Sequence, residues 1–226
     1  MYWNETKSNQ DQNIPEDIID LVFNIQCRSL PVDHAWALSA ALLRELPWLA
    51  QETGAGVHPL HISEMGNGWM RPENPDDILH LSRRTRLILR LPKEREADAN
   101  TLVGKTLDVA GNAMEVLKVN RRALSNITTV FSRYVVSEDD ETVFMDNVVA
   151  QLAQIGIRPH KMLPGKKRII RTPERSLTTR SLMVAELDVK DSVKLQQVGL
   201  GPFRHLGCGL FVPHKDIAEV SPEQTM

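Results

Sequence analysis

Cysteine, aromatic residues and long apolar runs are all scarce in this chain, and each shortage closes off a class of protein. Two cysteines occur among 226 residues, Cys27 and Cys208, and neither has a C-x-x-C partner, which excludes a zinc ribbon or a thioredoxin-type redox centre. A reducing cytoplasm is the expected compartment. No apolar run approaches the roughly 20 residues of a membrane span, and the opening MYWNETKSNQDQNIPED is polar and acidic where an export signal is basic and then apolar. Neither export nor a membrane partner is expected. Two tyrosines and five phenylalanines are too few to favour a platform on which successive unpaired bases stack. H-E-x-x-H, Cys/His clusters and closely spaced acidic trios are also missing, so metal-dependent chemistry lacks its usual ligands and no metal or other cofactor is expected.

The net charge of −2 is small only because opposite charges sit in different places. Residues 158–215 carry twelve Lys and Arg against four acids, a local balance of +8, while acids collect in the N-terminal tail and in SEDDE at 137–141. Such asymmetry favours a polyanionic partner. Six of the cations, Lys166, Lys167, Arg168, Arg171, Arg175 and Arg180, fall on two β-rich runs hinged at 172–175, a basic hairpin suited to the phosphates and shallow minor groove of an RNA stem.

Hydrophobic periodicity organises the rest. The tail of residues 1–15 is expected to be disordered. IIDLVFNIQC (18–27) reads as a buried strand, and Ala35, Leu38, Leu42, Leu46 and Leu49 mark one stripe of a helix with Asp33 as its predicted N-cap. Strands are predicted at 55–63 and 85–92, then a short helix, then a strand pair turned at Gly111. A second unit follows the same order: a strand at 127–136, a helix marked by Phe144, Val148, Leu152 and Ile155 and stopped by Gly156, the basic hairpin, a helix from Asp188 to about Val198, and a last strand at 206–213. The architecture is therefore α+β, two tandem ferredoxin-like β-α-β-β-α-β domains, at 16–122 and 126–217.

The most informative stretch is GLGPFRHLGCG at 199–209, which places Gly199, Gly201, Gly207 and Gly209 around Arg204 and His205. Glycines let backbone amides approach a ligand closely, and the basic pair adds charge, so the loop is expected to meet an RNA backbone. No G-K-[ST] follows, which separates it from a nucleotide-binding loop.

GLGPFRHLGCGLFVP, with SVKLQQVGLG before it and LPVDHAWALSAAL opening the first helix, resembles the CRISPR-associated "Cas six" endoribonucleases of the RAMP superfamily, most closely their I-MYXAN variant. The resemblance spans about residues 21–215. It implies tandem ferredoxin-like domains, recognition of CRISPR repeat RNA and of the guide RNA made from it, metal-free cleavage, and association with other effector-complex subunits. It also places the catalytic residue on or just after the first helix, where His34, His58 and His61 lie.

Metal-free cleavage uses the neighbouring 2′-OH as nucleophile and asks the protein for proton transfer and charge neutralisation, which histidine supplies near neutral pH. His34 stands at the helix start, and His58 in GVHPLH could face it; these two are the candidate catalytic residues. His61 alternates away from His58 on a strand. His61-Ile-Ser63 and His80-Leu-Ser82 match the H-x-S of two-histidine phosphoesterases, but both lie in one half of the chain where that family puts one in each. A non-catalytic guide-RNA-binding subunit is the alternative to an enzyme.

Overall fold

The computed structural model describes residues 15–60, 74–138 and 140–214. Its elements run β1 (Ile18–Gln26), β2 (Ser29–Pro31), α1 (Ala35–Glu45), β3 (Gly56–Val57), β4 (Ile78–His80), β5 (Arg86–Pro92), α2 (Glu96–Asn100), β6 (Thr106–Val109) and β7 (Asn112–Arg122). They continue with β8 (Val130–Val136), α3 (Glu141–Gln154), β9 (Lys161–Arg171), β10 (Ser176–Ala185), α4 (Val189–Val198) and β11 (Val212–Pro213). Two antiparallel sheets result, in the orders β3-β5-β1-β7-β6 and β11-β8-β10-β9. Both follow the ferredoxin-like order, with β6 added to the first as the hairpin partner of β7. A small ribbon pairs β2 with β4, a feature that the periodicity does not reveal.

Strand alternation explains the first core. Ile19, Leu21, Phe23 and Ile25 of β1 point into one cluster with Leu87, Leu89 and Leu91 of β5, and α1 closes it with Leu38, Ala41 and Leu42. Each such leucine, fully buried, contributes roughly 1.5–3 kcal/mol. Leu46 and Leu49 extend the stripe, whereas Ala35 leaves it to pack on a different cluster, formed by the second sheet and the glycine loop. The second core joins Val130 and Val135, Leu182 and Val184 to Phe144, Val148 and Leu152 of α3 and Leu195 of α4. Both helices of this unit are capped by aspartates: Asp140 accepts the Val143 N–H at 2.9 Å and Asp188 the Asp191 N–H at 2.6 Å. Gly156 stops α3 with φ +73°.

Several expectations need correction. Residue 34, not Asp33, is the N-cap of α1, because the Asp33 carboxylate is turned away to accept the backbone N–H of Arg171 at 3.1 Å. The returning strand shortens to β3, and its predicted end at 61–63 lies outside the described residues, as do residues 1–14 of the predicted disordered tail. The last strand keeps only Val212–Pro213, since residues 206–209 are folded into the glycine loop.

Candidate active site and RNA interface

The second sheet and the glycine loop meet the start of α1. Tyr134, Ile170, Leu177, Leu206 and Cys208 form a buried cluster there, with Ala35, Trp36, Val136 and Phe203 packed against it. His34 immediately precedes these helix residues. Its Nδ1 lies 2.9 Å from the Pro31 carbonyl oxygen. A carbonyl only accepts, so Nδ1 carries a hydrogen, and in the neutral ring Nε2 then holds the lone pair, the tautomer a general base requires. The side chain is 2% exposed. Beside it Asp33 is half-buried, and burial raises its pKa against the opposing pull of Arg171.

His58 is elsewhere in character, which corrects the expectation that it faces His34 across the turn. Its Nε2 lies 3.6 Å from Asp20 Oδ1, inside a charged group that also holds Arg90 and Arg122. Arg90 is 1% exposed. Its Nε and Nη2 donate to the two Asp20 oxygens at 2.8 and 3.2 Å, and its Nη1 donates to the carbonyls of Gln196 at 2.8 Å and Phe211 at 2.7 Å. A strand of the first sheet is thereby tied to the end of the second unit. Gln196 extends the tie by exchanging hydrogen bonds with the Ser125 backbone. Burial opposes the charge on Asp20, yet Arg90 and His58 override it and hold the carboxyl well below the usual range. His58 is pushed down, first by burial and then by Arg90 and Arg122, against the pull of Asp20. With one carboxylate already facing two guanidinium groups, a further positive charge is unwelcome.

The glycine loop corrects the expectation of free amides. Gly199 N–H donates to Leu195, Leu200 to Gly209, Gly207 to Arg204, Cys208 to Phe203, and Gly209 to Tyr134 at 2.6 Å. A Cβ at Gly209, where φ is +67°, would lie 1.8 Å from the Leu200 carbonyl oxygen; one at Gly207 would meet Pro59, and one at Gly199 would meet Arg204 and Gly209. These three glycines serve close backbone packing. Gly201 is exposed, with no atom closer than 3.6 Å to an added Cβ. Arg204 is a strut, not a surface cation. Its guanidinium donates to the carbonyls of Ala55 and Gly54 in the first unit, at 3.1 and 3.3 Å, and of Gln197 and Val198 in the second. Burial, with Arg90 nearby, lowers its pKa to about 10. His205 is half-buried, and burial lowers its pKa as well.

On the hairpin, Lys166 and Lys167 are exposed and Arg168 is half-buried. A bulge at 165–166 sets two residues of β9 against Ser181. Arg171 is already matched by acids: its guanidinium donates to Asp76 at 2.7 Å and approaches Asp33 at 3.9 Å. Arg180 pairs with Glu141 at 3.0 Å. Arg175, in the turn, lies over the Phe203 ring, 4.9 Å from its centroid. Between residues 49–55 and 197–205 runs a cleft of about 820 Å³ whose walls include Glu52, Pro202, Phe203 and His205.

The rival H-x-S arrangement finds little support. His61 and Ser63 lie outside the described residues, and Ser82 caps a turn by accepting the Arg84 N–H at 3.2 Å. Among the described residues, no three His, Cys, Asp or Glu side chains converge as metal ligands, and no helix is long and apolar enough to cross a membrane.

A family model described as Cas6 matches residues 19–216. The chain belongs to the Cas6 family. The CRISPR-associated endonuclease Cas6 of Myxococcus xanthus (strain DK1622) is 31% identical over 204 residues, which cover 89% of this chain and 84% of that protein. Among solved structures, a RAMP protein binding different RNA substrates superposes with a TM-score of 0.62 at 12% identity, over 87% of this chain and all of that one. A Cas6-related protein from Pyrococcus furiosus gives 0.60 at 12% identity, over 86% of this chain and 97% of that one. At such identities the structures establish the shared fold. For a Cas6 protein, the sequence alone leaves Asp20, Arg90 and Phe203 unnoticed. An acid and a base each set within an apolar strand, IIDLVF and LILRLP, could have suggested the Asp20–Arg90 pair, which stands in register between β1 and β5.

Proposed function

We propose that this Cas6-family endoribonuclease cuts precursor CRISPR RNA at the repeat stem-loop to yield guide RNA, with His34 as its general acid/base. The observation that carries the reading is the Nδ1–H bond from His34 to Pro31, which leaves Nε2 as the basic nitrogen of the neutral ring, at the start of α1 where it meets the second unit. In this reaction the 2′-oxygen attacks the adjacent phosphorus while the bond from phosphorus to the 5′-oxygen breaks. One proton leaves the 2′-OH and one reaches the 5′-oxygen. The products are a 2′,3′-cyclic phosphate and a 5′-OH, and no divalent metal is required. Because His34 is 2% exposed, a phosphate reaches Nε2 only after the groups covering it part.

Lys166, Lys167, Arg168 and Arg175 supply phosphate contacts along the hairpin, while Arg171 joins them once RNA phosphate displaces Asp76. Gly201 and His205 line the cleft beside Phe203, the ring that Arg175 covers. We assign the two domains to 16–122 and 126–217, with the product retained between them in the cytoplasm as part of an effector complex. The covered state of His34 gives the second reading its footing, a subunit that holds guide RNA without cutting it.

Both readings meet in one experiment. A repeat RNA with a single 2′-deoxy group immediately 5′ of the scissile phosphate should bind normally and stay intact, while the all-ribose RNA is cut in the presence of a chelator. Loss of cleavage in EDTA with rescue by magnesium would overturn the mechanism, and intact all-ribose RNA under single-turnover conditions would favour the binding subunit.

A further inference from the structure

Phe203 is the feature that the catalytic reading leaves unused. It has φ 66° and ψ 37°, left-handed backbone that a bulky L-residue adopts only at a cost. Its carbonyl is pinned there by the N–H groups of Leu206 at 2.9 Å and Cys208 at 3.2 Å. Glycine would satisfy this conformation freely, and the loop already contains four, so the backbone alone gives no reason for a phenyl ring. Part of the ring packs on the cluster shared with Trp36 and Leu206, which fixes its position beside the start of α1. Phe203 is half-buried and also lines the cleft, with the His205 ring edge-on at 6.2 Å and 74°. Arg175 lies over the ring, 4.9 Å from its centroid, and is not itself among the residues that line the cleft.

Resting on the repeat-cleaving function above, we propose that Phe203 stacks one unpaired nucleobase of the RNA next to the scissile phosphate, and that Arg175 holds a phosphate beside it. The chemistry selects this ligand. An exposed aromatic face suits a flat heteroaromatic ring of any sequence, and a guanidinium above the same ring suits the phosphate attached to it. The cleft of about 820 Å³ lies within the usual 300–1,000 Å³ of small-ligand sites, ample for one nucleotide. This single platform differs from the extended stacking surface that the scarcity of aromatics argues against. It would place the reacting phosphate by holding its neighbour, which makes Phe203 a positioning residue.

The test uses full-length protein and a repeat stem-loop with its unpaired flanks, blocked by a 2′-deoxy group at the cut. A set of the same RNA carries one abasic site at each unpaired position. Phe203→Leu should weaken binding of the intact RNA about 10- to 100-fold, the worth of one base–aromatic stack, while Phe203→Tyr stays within about threefold. At one abasic position the wild type should lose the same factor and Phe203→Leu should lose nothing more. Equal losses for both proteins at every position, or Phe203→Leu binding like wild type, would overturn the proposal. If Phe203→Leu melts early, 2-aminopurine scanned through the unpaired positions of wild-type complexes replaces it: strong quenching at one position supports the stack, and quenching at none overturns it. Wild-type protein that binds no repeat RNA would instead sink the repeat-cleaving function itself.

Discussion

His34 and His58 flank the same β-α-β connection, and both are nearly shut off from water, at 2% and 7% exposure, yet their surroundings differ. His34 bonds the neutral carbonyl of Pro31 through Nδ1, which orients its ring. His58 faces Asp20 within a group that holds two guanidinium ions, so its ring is part of the tie between the two sheets. Under the proposed role of His34, burial by itself does not separate a catalytic histidine from a structural one.

Breaking the network on the His58 side should give the largest effect on stability. Arg90→Met removes four hydrogen bonds and leaves the Asp20 carboxylate buried with only Arg122 and His58 facing it among the described residues. Removing one partner of a buried pair costs about 3–5 kcal/mol, which chemical denaturation would register as a large drop in the midpoint. A loss under about 1 kcal/mol would show that water or Arg122 replaces Arg90 easily.

A smaller effect sharpens the same contrast. The pKa of His58 is lower in the folded protein than its ordinary value near 6.5. Its contribution to stability is therefore complete above about pH 6.5 and is lost as pH falls through the folded value, where the unfolded chain takes up a proton that the folded chain refuses. Asp20, shifted down as well, adds its own loss only at much lower pH. Urea midpoints measured from pH 7.5 to 5 should fall for wild type and fall less for His58→Asn, with a residual slope from His205, whose pKa is also lowered. Parallel curves for the two proteins would place His58 outside the network.

The fold was legible because its cores obey simple periods. Alternation in β1 and β5 and the three- and four-residue spacing in α1 and α3 identify the faces that are buried. Alternation names two faces, however, and says nothing of what covers the second. Arg90 lies opposite the leucines of β5, where a sheet in one domain would show it to water, and the second unit buries it. The glycine loop misled for a related reason. Its composition reports backbone freedom, which serves close packing as readily as it serves a phosphate, and only the partners of the amides distinguish the two. The place of His34 before α1 was readable in the sequence, while its contact with the Pro31 carbonyl depends on the β2–β4 ribbon, which no sequence period announces.

The contrast between the two histidines is tested most directly by single-turnover cleavage of repeat RNA at saturating protein, with His34→Ala and His58→Asn measured beside their melting temperatures. The account predicts a loss of about 10²- to 10⁴-fold in rate for His34→Ala, the usual worth of general acid–base catalysis, with melting temperature and RNA affinity near wild type. For His58→Asn it predicts a lowered melting temperature and a rate, per folded molecule, near wild type. A full rate in His34→Ala, or a chemical defect in His58→Asn that its stability does not explain, would contradict it.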